Sequence, residues 1–144
     1  MANWFWYALF AAILYGLHQV FTKLASDHIG DGLGGFVVEA TAAFTIAFYL
    51  IYLRFFSKWS QPVTARGLFF SVLTGLCVGA GTVVFFLLFQ KGGPLSAVPM
   101  VLAGGAALMA FVGIFFFKEP PTLFRVLGIV LSLTGLFLLR YSKH

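Results

Sequence analysis

Long apolar stretches alternate along this chain with short polar breaks, and that alternation sets its architecture. A helix rises ~1.5 Å per residue, so about 20 apolar residues cross a hydrocarbon core ~30 Å thick. Residues 4–25, 34–56, 66–89, 95–117 and 121–139 meet that length and predict five membrane-spanning helices. The breaks are chemically distinct. Ser26-Asp27-His28 leads into Gly30, Gly32, Gly34 and Gly35, which the pattern assigns to a loop. Arg54, Lys58 and Trp59 precede the turn Gln61-Pro62-Val63-Thr64, and Arg66 opens the third span. Gly92-Gly93-Pro94 cannot extend the helix before it. Ser96 is placed to cap the fourth span, and Pro99, just inside it, predicts a kink. Lys118-Glu119-Pro120-Pro121 ends that span, with Pro121 suited to the first position of the fifth helix.

Small residues mark where spans pack. Gly75-x-x-x-Gly79 lies in the third span, Ala103-Gly104-Gly105-Ala106-Ala107 in the fourth, and Gly128, Ser132 and Gly135 in the fifth. Such spacing lets helix backbones approach closely. These faces predict tight contacts between the helices of one chain or with a partner chain. Cys77, beside Gly75, Gly79 and Gly81, reads as a small buried residue.

Composition narrows the class. Hydrophobic residues make up 61% of the 144 residues and charged residues 9%, against about 25% charged in soluble domains. The expected fold class is therefore all-α integral membrane, multi-pass, without a soluble domain. Trp4, Trp6 and Tyr7 form an aromatic belt at one interface. The run from Trp4 is too long for a signal-peptide core and lacks a basic leader, so it predicts a retained helix. A net charge of +5 spread over loops and ends forms no nucleic-acid patch. One cysteine excludes an intrachain disulfide. The sequence contains no metal-ligand cluster, HExxH or Ser/His/Asp arrangement, so neither enzyme, cofactor nor metal is expected.

Five spans put the chain ends on opposite sides of the bilayer. Arg54, Lys58, Arg66, Lys118 and Arg125 then lie on one side, and Lys23, Lys91, Arg140 and Lys143 on the other. Basic-residue bias normally sets orientation; five against four sets almost none. Such a chain can insert both ways and pair as an antiparallel ten-helix homodimer, the symmetry of inverted-repeat transporters. The alternative is a single orientation imposed by Arg54, Lys58 and Arg66.

Polar groups inside spans are costly and mark function. His18 and Gln19 lie in the first span and Glu39 in the second, at similar depth because consecutive spans run antiparallel. Burial penalises a carboxylate while an imidazolium neighbour favours it, so a Glu39–His18 pair can exchange protons. Glu39, His18 and Gln19 are the candidate substrate- or proton-binding residues; a purely structural pairing is the alternative. Lys23 is expected to snorkel to the surface. Glu119 reads as an interface cap, and Ser71, Thr74 and Thr82 either line a cavity or bond back to their own helix.

The segment from residue 90 to 140 resembles an EamA-type repeat of the drug/metabolite transporter superfamily. The matching residues are Gly93, Pro94, Ser96, Pro99, Glu119, Leu127, Gly128, Leu131 and Gly135, with Tyr15-Gly16 and Lys23-Leu24-Ala25 a looser match near the start. Larger EamA-type repeats often carry an arginine early in the second helix, where this chain has Glu39. The resemblance implies a single repeat of a fold that longer relatives carry twice, working as an antiparallel pair. It implies a small transporter in the cytoplasmic (inner) membrane, moving a small metabolite or drug-like solute by alternating access. Proton coupling through Glu39 is an expectation of the residue pattern. Two other readings are a lipid or lipid-linked-sugar flippase subunit, which needs a cavity open to lipid, and a membrane assembly partner without cargo, which gains nothing from a buried carboxylate.

Overall fold

The computed structural model describes residues 4–57, 59–120 and 122–141, and every element among them is helical. The helices are α1 (Trp4–Ser26), α2 (Asp31–Phe56), α3 (Ala65–Gln90), α4 (Val98–Phe115), preceded by a 3₁₀ turn at Leu95–Ala97, and α5 (Leu123–Tyr141). Four stretches, α1, α2, α3 and Leu95–Phe115, are long and apolar enough to cross a membrane; α5 is a fifth, shorter helix of 19 residues. Large apolar side chains are exposed along all of them, as a lipid solvent allows.

The chain divides into two compact units, 1–93 and 94–144. In the first, α3 is central: α2 packs along it and α1 joins both. The contact stripe of α3 is Thr82, Phe86 and Phe89, one helical face, and that of α1 is Gln19, Thr22 and Ser26. Phe86 and Phe89 are the most deeply buried side chains. The second unit pairs α4 with α5.

The start of α2 corrects the expected loop. Gly32, Gly34 and Gly35 are helical, and only Gly30 remains outside, as an extended N-cap. A Cβ on Gly34 would stand 2.4 Å from Phe86 Cε1, and one on Gly35 would stand 3.1 Å from Val83 Cγ2. Glycine lets α2 approach α3 here, and this packing outweighs its poor helix propensity of about 1 kcal/mol per residue.

The break after α3 follows its sequence closely. Gly92, at φ 84°, takes the left-handed conformation; its N–H donates to the Phe89 carbonyl (3.0 Å) and that of Gly93 to the Leu88 carbonyl (2.9 Å). This is the Schellman helix end. At the other end of α3, Thr64 caps the helix, its hydroxyl oxygen accepting from the Gly67 N–H at 3.1 Å.

Two proline and cap expectations change. Pro99 occupies the first turn of α4, where a missing N–H breaks no bond, so it starts the helix instead of kinking it. Ser96 sits inside the 3₁₀ turn, and Ala97, without a side-chain cap bond, is the N-cap of α4. Pro94 precedes that turn, accepting from the Ala97 N–H at 2.9 Å, and Pro120 accepts from Thr122 N–H in the break before α5. Pro121, Lys58 and Lys143 lie outside the described residues. Cys77 is exposed, not buried.

Candidate functional site

Three polar positions share one depth in the first unit. Glu39 lies eight residues into α2 from Asp31, Thr82 eight before Gln90 in α3, and His18 eight before Ser26 in α1. Each is therefore ~12 Å from the same end of the bundle. The tie between Gln90 Nε2 and the Ile29 carbonyl (2.9 Å) brings those ends level.

Glu39 is half-buried on α2, and its Oε1 accepts from the Thr82 hydroxyl at 2.5 Å. Thr82, itself buried, also lies 3.0 Å from its own helix's Val78 carbonyl. The expected Glu39–His18 pair is not formed: among the described residues Glu39 is held by α3, and His18 Nδ1 has no hydrogen-bond partner. Gln19, 6% exposed, likewise leaves its Oε1 without a partner among the described residues. Thr22 bonds back to the His18 carbonyl at 2.8 Å, as Thr74 does to that of Phe70 at 2.9 Å. The result is a half-buried carboxylate with one hydroxyl donor, in the same three-helix unit as His18 and Gln19, whose Nδ1 and Oε1 have no hydrogen-bond partner among the described residues.

Lys23 stays near the helix end. Its ammonium pairs with Asp27 at 3.1 Å and lies 5.7 Å from the centre of the Phe89 ring. The pair is partly exposed and of the i,i+4 kind, a class that contributes about 0.3–0.5 kcal/mol.

Thr82 was one of three hydroxyl candidates, and nothing in its own helix singles it out. The signal lay in the neighbouring span: an intramembrane carboxylate needs a donor, and Thr82 is the hydroxyl of α3 at its depth. Gly34 and Gly35, which let α2 seat against Phe86 and Val83 of α3, were hidden in an apparent loop.

The glycine faces sit elsewhere. Among the described residues no atom lies within 4 Å of a Cβ built on Gly75, Gly79, Gly104, Gly105, Gly128 or Gly135; the Ser132 side chain lies outside the described residues. Gly113 does have a neighbour. Lys118 turns back at φ 53°, the Glu119 N–H donates to the Gly113 carbonyl at 3.0 Å, and the Glu119 carboxylate covers Gly113. An open, mainly apolar groove of about 570 Å³ runs past this turn, lined by Leu108, Met109, Val112 and Phe117.

Known proteins point the same way. The EamA-like transporter family matches residues 2–141. Over 110 residues the chain is 34% identical to the multidrug resistance protein EbrB of Bacillus licheniformis, covering 76% of this chain and 87% of that protein. No solved structure matches the chain.

Proposed function

The chain belongs to the EamA-like transporter family, and from that premise we propose that it moves a small drug-like or metabolite cation across the cytoplasmic membrane by alternating access, exchanging it for protons at Glu39. The observation that carries this reading is the Glu39 carboxylate, held by Thr82 between two apolar helices of the unit that also holds His18 Nδ1 and Gln19 Oε1, buried atoms without a hydrogen-bond partner among the described residues. A carboxylate in that position binds either a proton or a cation, and competition between them couples their movements. The likeness to a multidrug resistance protein favours a drug-like cargo, and its bacterial source favours the inner membrane.

In this reading α5 crosses the bilayer with the other four helices, and two chains inserted in opposite senses complete the transporter. The near-even split of basic residues supports dual insertion. The exposed faces at Gly75/Gly79, Gly104/Gly105 and Gly128/Gly135 supply the smooth surfaces a partner helix needs.

The function is tested with purified protein in proteoliposomes under an imposed pH gradient, using tetraphenylphosphonium, simple amines and amino acids as probes. At least one cation is expected to move faster than through protein-free vesicles, with proton counterflow. A null result for the whole panel defeats the reading.

Assembly is tested separately. Reporters fused after His144 should give comparable signal from both sides of the membrane; a one-sided result, unchanged when Arg140 and Lys143 are moved, excludes dual insertion. Leucine at Gly104 or Gly128 meets open space within the chain, so it should weaken the dimer in detergent while leaving monomer stability within about 0.5 kcal/mol. Dimers that tolerate leucine at every one of these glycines do not use them.

A further inference from the structure

We propose that Thr82 is a positioning residue that passes the charge state of Glu39 to the backbone of α3. The inference rests on reading Glu39 as the coupling carboxylate and adds the element that responds to it. Thr82 Oγ1 stands 2.5 Å from Glu39 Oε1 and 3.0 Å from the Val78 carbonyl oxygen. A hydroxyl has one proton and two lone pairs, so it cannot donate fully to both.

Each charge state of Glu39 selects one arrangement. When Glu39 is protonated, its O–H donates to Thr82 Oγ1, and Thr82 donates to Val78. Both protons are then used. When Glu39 is ionised it is an acceptor without a proton, and Thr82 turns its proton to the carboxylate because the charge-assisted bond is stronger. Val78 loses its side-chain donor in that state. The proton that distinguishes the two states enters from water and leaves to water; no other bond is made or broken.

The change reaches the helix axis. A threonine bonded to the carbonyl four residues before it bends an α-helix slightly. Gaining or losing that bond alters α3 between Val78 and Thr82, the segment that contains Gly79 and Gly81. A Cβ on either glycine would meet nothing within 4 Å, so packing does not block the adjustment.

The other ionisable groups around Glu39 do not hold it. On α1, His18 shares its depth without a partner at Nδ1, and Lys23 is engaged with Asp27. On α2 itself Asp31 lies at the helix start, about two turns away. On α3 Cys77 is exposed and Arg66 is at the opposite helix end. Among the described residues Thr82 is the side chain hydrogen-bonded to Glu39.

The test is a pH titration of the full-length protein in lipid bilayers, following the Glu39 carboxyl and Val78 carbonyl carbons by solid-state ¹³C NMR. In the unmodified protein the two resonances are expected to move with one midpoint. In Thr82→Val the Val78 resonance should stop responding. Thr82→Ser, which keeps the hydroxyl, should restore the response. In Glu39→Gln the Val78 resonance should be independent of pH. A Val78 carbonyl that stays fixed while Glu39 titrates, or a Thr82→Val protein whose Val78 resonance still follows pH, overturns the inference. Tetraphenylphosphonium transport in the same vesicles separates the two ideas: normal gradient-driven transport by Glu39→Gln ends the coupling role of Glu39, whereas the resonances decide the role of Thr82.

Discussion

Gly34→Leu is expected to leave little folded protein in detergent, and Gly34→Ala to lower the thermal midpoint clearly. Gly34 is buried where α2 meets α3, and a single added Cβ would stand 2.4 Å from Cε1 and 2.7 Å from Cζ of Phe86. Phe86 is fully buried, so its ring has no space to retreat into. Alanine improves helix propensity by about 1 kcal/mol, but overpacking costs about 1–3 kcal/mol, and here the ring or the helix must move. The clash therefore outweighs the propensity gain. Gly32→Ala supplies the control: it lies in the same first turns and meets no atom within 4 Å, so it should gain the propensity without the clash. Thermal unfolding of the three variants checks this, and a Gly34→Ala protein as stable as Gly32→Ala would show that α2 does not seat on Phe86.

These two glycines also show how far the sequence could be read. Apolar run length placed the helices to within a few residues, because spanning a bilayer requires continuous apolar length whatever the neighbours are. The Gly92-Gly93-Pro94 break was legible because its chemistry is local: a left-handed residue closes the helix and the proline cannot continue it. The run Asp31-Gly-Leu-Gly-Gly was not, since its glycines signal a loop locally, while Gly34 and Gly35 seat α2 on Phe86 and Val83 of α3, some fifty positions further along. Pro99 was misread for a related reason, its effect depending on where the helix starts, which the 3₁₀ turn moves to Val98.

The polar candidates were legible in the sequence, and their pairing was not. Glu39, His18 and Gln19 stood out because polar groups are rare in such spans, and the structure puts them in one three-helix unit. Charge suggested His18 as the partner of Glu39. Geometry gives Thr82 instead, because the closest packing of α2 is against α3, and a hydroxyl satisfies a carboxylate without burying a second charge.

Glu39→Gln is expected to fold and assemble normally, yet reduce pH-gradient-driven transport of tetraphenylphosphonium to the level of protein-free vesicles. The substitution keeps the shape of the side chain, and the amide oxygen it installs still accepts from Thr82, so the α2–α3 contact is retained. A neutral amide also costs less to bury than a carboxylate. What disappears is the ability to change charge. A gradient can drive a cycle only through a group whose proton occupancy differs between states, and an amide presents the same face in each. The lost negative charge should also weaken cation binding, which a thermal-shift titration with tetraphenylphosphonium reads directly. His18→Asn behaves differently. Among the described residues its Nδ1 has no hydrogen-bond partner and Glu39 is bonded to Thr82, so the cycle should survive the change. Transport is compared over roughly pH 6 to 8, the range around neutrality. Should Glu39→Gln transport at the unmodified rate throughout that range, the carboxylate is a structural tie between α2 and α3, and the protons that drive transport are carried elsewhere.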